Sequence, residues 1–166
     1  MTASNDRTTR VQEPRLDSFD RAILRIVQRN NKMPQRQIAE AVNLSAAAVQ
    51  RRIAAMEAAG VIARNVALVD PEALSLAITA IVQVHLRDER ASTVDAAKAM
   101  FRDDPAVQQA YYVTGGVSFV LIIVSRDMRE YEALTRRLFA QNELVDRYGT
   151  LVALDRVKAG MELVVP

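Results

Sequence analysis

Two short stretches of this chain combine residue types and spacings that can do recognition chemistry. In the first, Ser45, Ala46, Ala47, Gln50 and Arg51 fall on one side of a run with helical spacing, and Arg52 stands on its flank. Gln and Arg side chains hydrogen-bond base edges and phosphates, and small residues at a helix start allow close approach to a groove. In the second, Gly115, Gly116 and Val117 separate two β-rich runs, the latter opening on Ser118. The backbone N–H groups of Gly115 and Gly116 can receive a carboxylate, and the Ser118 hydroxyl both donates and accepts. The competing reading of the two glycines is a hairpin turn and nothing more.

The remaining inventory is poor in chemistry. There is one histidine, His85, set between apolar strand residues, and no cysteine. Disulfides, thiolate chemistry, a nucleophile–base pair built on histidine and a His-rich metal site are therefore beyond a single chain. Asp103 and Asp104 form a carboxylate pair beside Pro105. That pair reads as a helix end in solvent ahead of a cation site. No Walker-type loop or dinucleotide glycine pattern occurs, so no cofactor is expected.

The elements that must position Gln50 and Arg51 are legible upstream. Asp17 can cap a helix whose buried side is Phe19, Ile23, Ile26 and Val27, with Asp20 adding negative charge to its first turn. Pro34 opens a second helix with Ile38, Ala39 and Val42 on its apolar side. Asn43 tolerates the left-handed conformation that ends it, and Ser45 caps the next, whose Val49, Ile53 and Met56 face inward. Gly60 stops that helix. Any amphipathic surface helix has apolar residues inside and arginines outside, so the last helix alone says little. The ordered series of caps and stops predicts a helix-turn-helix whose second helix enters a DNA major groove. Charge agrees: Leu16 to Ile62 holds seven Lys and Arg against four Asp and Glu, whereas Leu76 to Pro166 holds eleven against twelve.

A chain of 166 residues, half of them apolar, can bury one ordinary core or two small ones. Residues 1–15 are polar and read as a disordered arm whose Arg7, Arg10 and Arg15 solvate the chain or brush phosphates. Residues 16–62 form the reader. In 63–75, the β-rich continuation of Val61 and Ile62 through Val66, Leu68 and Val69 predicts one or two short wing strands, with Arg64 at the DNA backbone or in solvent. Asp70 to Ser75 then break the strand as a linking turn.

Residues 76–166 have a different texture. Ile78, Ala80, Val82, Val84 and Leu86 alternate as a strand, and Ala91, Val94, Ala97, Met100 and Phe101 follow at helical spacing. Val107 to Thr114 and Ser118 to Ser125 predict a hairpin. Met128, Tyr131, Leu134, Leu138 and Phe139 predict a helix, and Thr150 to Val157 a last strand. Strand, helix, strand, strand, helix, strand is the split βαβ or ferredoxin-like βαββαβ arrangement, so the whole chain is α+β. In Ser118 to Ser125 both alternating sets, Phe119, Leu121, Ile123 and Val120, Ile122, Val124, are apolar. Two helices cover one sheet face only, and the other predicts a second copy of the chain, sheet against sheet. Adjacent Tyr111 and Tyr112 divide between the two faces.

Taken together, LDSFDRAIL at Leu16 to Leu24, NLSAAAVQRRIAAMEAAGVI at Asn43 to Ile62, VTGG at Val113 to Gly116 and TLVALDRVK at Thr150 to Lys158 resemble the Lrp/AsnC family of transcriptional regulators. The resemblance spans Leu16 to Lys158. It implies a winged helix-turn-helix joined to a ferredoxin-like effector domain, dimers that often build octamers, and a small-molecule effector held between dimers near a loop that usually reads G-D-Y-D. Here that loop is Gly115, Gly116, Val117 and Ser118, without its acids or its aromatic residue. Candidate effector residues are Tyr112, Gly115, Gly116, Ser118 and Met128. An α-ammonium lacks the family's partner, so weak or absent binding of common amino acids is expected. A different effector, or none, is the alternative, and stabilisation only by carboxylic acids without an amine would point to a rewired site.

Two other functions compete. The same fold includes siroheme decarboxylases, but the single His85 argues for no enzyme. A sensor module without DNA binding requires the Ser45 helix to be inert. No apolar amino-terminal segment or membrane-length stretch appears, and with no cysteine this predicts a soluble cytoplasmic protein without a membrane partner.

Overall fold

The computed structural model describes residues 15–166, and the predicted arm lies outside them except for Arg15. Two compact units result. One ends at Ala67 and also takes in Gly160–Pro166, and the other is Leu68–Ala159.

The first unit holds α1 (Ser18–Val27), α2 (Gln35–Val42) and α3 (Ala46–Ala58). Asp17 accepts the Asp20 N–H at 2.8 Å while the Asp20 carboxylate accepts the Asp17 N–H at 3.1 Å, so two otherwise orphaned donors are satisfied reciprocally. Asn43 takes φ 54°, and the Leu44 N–H closes on the Ala39 carbonyl at 3.0 Å. Ser45 Oγ then accepts the Ala48 N–H at 3.2 Å, which begins α3 one residue after the turn. At its far end Gly60, at φ 72°, lets the Val61 N–H reach the Met56 carbonyl and its own N–H reach Glu57, a Schellman closure. Ile23, Ile38, Ala39, Val42, Val49 and Met56 are buried together. Phe19, expected inside, is exposed. Gly160–Pro166 lies along α1, where the Gln28 amide donates to the Leu163 carbonyl and accepts the Leu163 N–H, and Arg25 donates to the Val165 carbonyl.

The expected wing strands are absent. Among the described residues 61–70 take no part in a sheet, and Val66, Leu68 and Val69 are exposed. A β-rich run forms a strand only where a partner offers hydrogen bonds, and none is supplied here. Asp70 accepts the Glu72 N–H at 3.0 Å to start a single 3-10 turn, Glu72–Leu74, which Ser75 ends at φ 58°.

The second unit contains β1 (Ile78–Leu86), α4 (Ala91–Asp103), β2 (Val107–Tyr112), β3 (Phe119–Ser125), α5 (Met128–Thr135), a π-helical turn continuing it (Arg136–Ala140) and β4 (Val145–Val152). The sheet is antiparallel in order β2-β3-β1-β4. Ala80, Val82, Val84, Phe119, Leu121 and Ile123 are fully covered, with Val94, Ala97, Phe101, Leu138 and Phe139 from the helical layer. Ring contacts run across this layer in sequence: Tyr112 to Phe119, Phe119 to Phe101, Phe101 to Phe139 and Phe139 to Tyr148. Met128, expected on the buried side of α5, is exposed at its first turn.

Two further expectations need correction. The last strand is Val145–Val152, beginning five residues before Thr150 and ending short of Val157, because it pairs with β1 from Leu86↔Val145 to Ala80↔Val152. Asp146, Arg147 and Gly149 disguised it, being residues of low strand propensity. Asp104 is not in solvent. It is buried, accepts the Ala106 N–H and pairs with Arg137, whose guanidinium beside it holds its carboxyl below the usual range. No helix among the described residues is long and apolar enough to cross a membrane.

Phe101 touches two of the other rings and has no exposure. Phe101→Ala should cost about 3–5 kcal/mol in urea unfolding, whereas Leu154→Ala, at a fully exposed position, should stay within about 0.5 kcal/mol.

Candidate functional site

The outward side of α3 is a continuous strip. Ser45, Ala46, Ala47, Gln50 and Arg51 are all exposed, and the opposite side, Val49 and Met56, is buried against α1 and α2. The strip opens with four small residues from Ser45 to Ala48 and then presents an amide and a guanidinium one residue apart. An α-helix with this outline fits a major groove about 12 Å wide.

Arg52 behaves differently from Arg51. Its Nη1 lies 2.8 Å from Asp17 Oδ2 and 2.7 Å from Asp20 Oδ1, and its guanidinium sits 5.5 Å from the centre of the Phe19 ring. The side chain is 28% exposed. Both carboxylates raise the guanidinium's affinity for its proton, Asp20 the more. Asp17 titrates below the ordinary carboxylate range. The Asp20 N–H is the main reason; burial opposes it, and Arg52 adds to it. The arginine that sequence spacing groups with Arg51 is thus a strut that fastens α3 to the capped start of α1. It also explains the exposed Phe19, which carries the guanidinium on its face.

At the other candidate site the structure brings together Tyr112 and Ser118, with Gly115 and Gly116 in the turn between them. Gly115 and Gly116 take φ 103° and 85°, and a Cβ on either would meet open space. The Ser118 N–H donates to the Val84 carbonyl at 2.9 Å, and the Ser118 hydroxyl accepts the Leu86 N–H at 3.0 Å. Met128 is not part of this group. It follows the far end of β3, and a seven-residue strand of about 3.3 Å per residue separates it from Ser118.

Sequence reasoning missed Glu89. Its Oε1 accepts the Ser118 hydroxyl at 2.5 Å and its Oε2 accepts the Tyr112 hydroxyl at 2.9 Å. Glu89, through that hydrogen bond first and burial second, raises the Tyr112 phenol above its usual pKa. Lys98 Nζ lies 4.9 Å above the Tyr112 ring. A signal did exist: in an antiparallel pair the end of β1 adjoins the start of β3, so the charged Asp88-Glu89-Arg90 loop had to meet the hairpin.

Comparisons with known proteins cover both units. A family model described as winged helix-turn-helix DNA-binding matches residues 16–63, and one described as the Lrp/AsnC ligand binding domain matches residues 79–163. An uncharacterized helix-turn-helix-type transcriptional regulator of Sinorhizobium fredii is 43% identical over 87% of this chain and 85% of its own. The crystal structure of an AsnC family transcriptional regulator from Agrobacterium tumefaciens superposes with a TM-score of 0.84 at 30% identity, over 89% of this chain and 96% of that one. A Neisseria meningitidis transcriptional regulator in complex with L-methionine gives a TM-score of 0.82 at 26% identity, over 90% and 96%.

The strut makes a stability prediction with a sign. Because Asp17 has a lowered pKa when folded, its contribution is fully present above the unfolded value and is lost as pH falls toward the folded one. Arg52→Ala should lower the melting temperature, and it should lose less stability than wild type between about pH 4 and pH 2. Arg51→Ala should leave both quantities unchanged, as read by circular dichroism across pH.

Proposed function

Because the chain belongs to the Lrp/AsnC family of DNA-binding transcriptional regulators, we propose that it reads duplex DNA by laying α3 in the major groove. Ser45, Ala46 and Ala47 allow the approach, Gln50 addresses a base edge and Arg51 a phosphate or guanine. Arg52 acts as a positioning residue. The observation that carries this reading is the division of α3 into one wholly exposed strip of small and polar residues and one buried apolar side, with its register fixed by Arg52 on Asp17 and Asp20.

The working unit in this reading is a dimer joined through the helix-free sheet face. On that face Val120, Ile122, Val124 and Ile81 are half-buried and Leu151 and Tyr111 exposed, with Ile81 opposite Ile122 and Leu151 in register. His85 lies on the same face across from Arg147, which favours an interface residue over a catalytic one and supports a regulator without enzymatic activity. Family membership supports extending this reading to higher assembly as an octamer, a cytoplasmic location and a small-molecule effector near Tyr112, Gly115, Gly116 and Ser118. The L-methionine bound by the Neisseria neighbour supports an effector of amino-acid size.

Two measurements test this. In binding titrations against salt, Arg51→Ala should flatten the slope of log affinity by roughly 0.9 if it holds one phosphate. Gln50→Ala should redistribute base preference at one position by about 1–3 kcal/mol. A variant pair with wild-type slope and wild-type preference refutes the α3 assignment. For the dimer, Ile122→Glu or Val124→Glu should give folded monomers in sedimentation, while Leu121→Glu, inside the core, should not fold. A dimer surviving both surface charges refutes that interface.

A further inference from the structure

We propose that Glu89 is the carboxylate of the effector site and takes the ammonium of an amine-bearing small molecule, in place of the acids that the Gly115–Ser118 turn lacks. This rests on the effector reading above and makes it specific. It also reverses the expectation drawn from the hairpin alone, since the acid missing from one loop is supplied by another.

Four observations support the assignment. The carboxylate is fixed: two hydroxyls on either side of the hairpin turn, Tyr112 at the end of β2 and Ser118 just before β3, each donate to one of its oxygens. The Ser118 hydroxyl is itself oriented, because it accepts the Leu86 backbone N–H. A carboxylate has about four acceptor positions, so both oxygens keep a lone pair for a further donor, and Glu89 remains exposed to receive it. The neighbourhood also suits a cation. Tyr112 presents its ring face to the chain's own Lys98 ammonium at 4.9 Å, and an aromatic face beside a carboxylate is the combination that holds ammonium groups.

The turn completes a zwitterion site. Gly115 and Gly116 leave open space where side chains would stand. Among the described residues the loop hydrogen bonds of this hairpin run from the N–H groups of Val113 and Ser118, which leaves the N–H groups of Thr114 to Val117 for a ligand carboxylate. An α-amino acid can therefore meet an acid at one end and backbone donors at the other. A carboxylic acid without an amine would offer nothing to the remaining lone pairs of Glu89.

The competing role for Glu89 is a pin between the loop after β1 and the hairpin, and the two roles separate under one substitution. In Glu89→Gln the amide still bonds both hydroxyls, its oxygen accepting from one and its NH2 donating to the other, but it carries no charge. The experiment uses the full chain and screens the twenty common L-amino acids by thermal shift. It then compares the best stabiliser with its own deaminated acid by calorimetry, L-methionine against 4-(methylsulfanyl)butanoate for example, in wild type and Glu89→Gln. Wild type should prefer the amine-bearing partner, and Glu89→Gln should lose roughly 10- to 100-fold in affinity for it with the deaminated acid unchanged and the ligand-free melting temperature preserved. A preference for the amine that survives in Glu89→Gln overturns the assignment and leaves the effector site standing. If no L-amino acid stabilises wild type, the effector reading itself fails and the assignment with it. Should Glu89→Gln melt early, Tyr112→Phe provides the second test. It removes one of the two donors that aim the carboxylate, so the preference for the amine should weaken there, and an unchanged preference overturns the assignment.

Discussion

A four-stranded sheet has two faces, and this chain has two helices with which to cover one of them. Everything in the second unit follows from that shortage. Phe119, Leu121 and Ile123 go under α4 and α5 and lose all or nearly all contact with water, while the alternate residues Val120, Ile122 and Val124 remain half covered. At about 25 cal/mol for each Å² of apolar surface, a face of this kind is a standing drive toward association. In the dimer proposed above, a second copy supplies the same face by two-fold symmetry. Dimerisation then places two helix-turn-helix readers on one particle, and two linked readers gain effective concentration on DNA that one alone lacks.

The first unit meets a different demand, since a groove reader must hold its helix rigid while leaving one side empty. Its core is small, six buried residues with partly buried neighbours. Charge adds a second tie to α3. Asp17 and Asp20 already satisfy each other's N–H groups at the start of α1, and the same two carboxylates receive Arg52 from α3. Helix start and helix orientation are therefore one device. The arginine next to it, Arg51, stays exposed.

How much of this was legible in the sequence depended on the distance over which the responsible contact acts. Caps and stops are local, and Asp17, Asn43, Ser45, Gly60 and the Gly115-Gly116 turn all stand where their side-chain chemistry places them. Period-two alternation gave β1 and β3 and the two faces of β3. What escaped joins residues far apart. Arg52 finds its carboxylates 32 and 35 residues away, Glu89 finds its hydroxyls 23 and 29 residues away, and Arg137 reaches back 33 to Asp104. No local pattern marks such partners. The shifted β4 and the unpaired run after Gly60 fail for a related reason, because a strand is defined by its neighbour and only secondarily by its own residues.

The proposed dimer presents two copies of α3 to successive major grooves. Footprinting of the full chain at base-pair resolution on a genomic site it occupies tests this most directly. Two major-groove protections on one side of the duplex, related by a dyad and separated by about 10–10.5 base pairs or a whole multiple, are the result expected. A single isolated protection, or uniform protection that tracks no sequence, would contradict it.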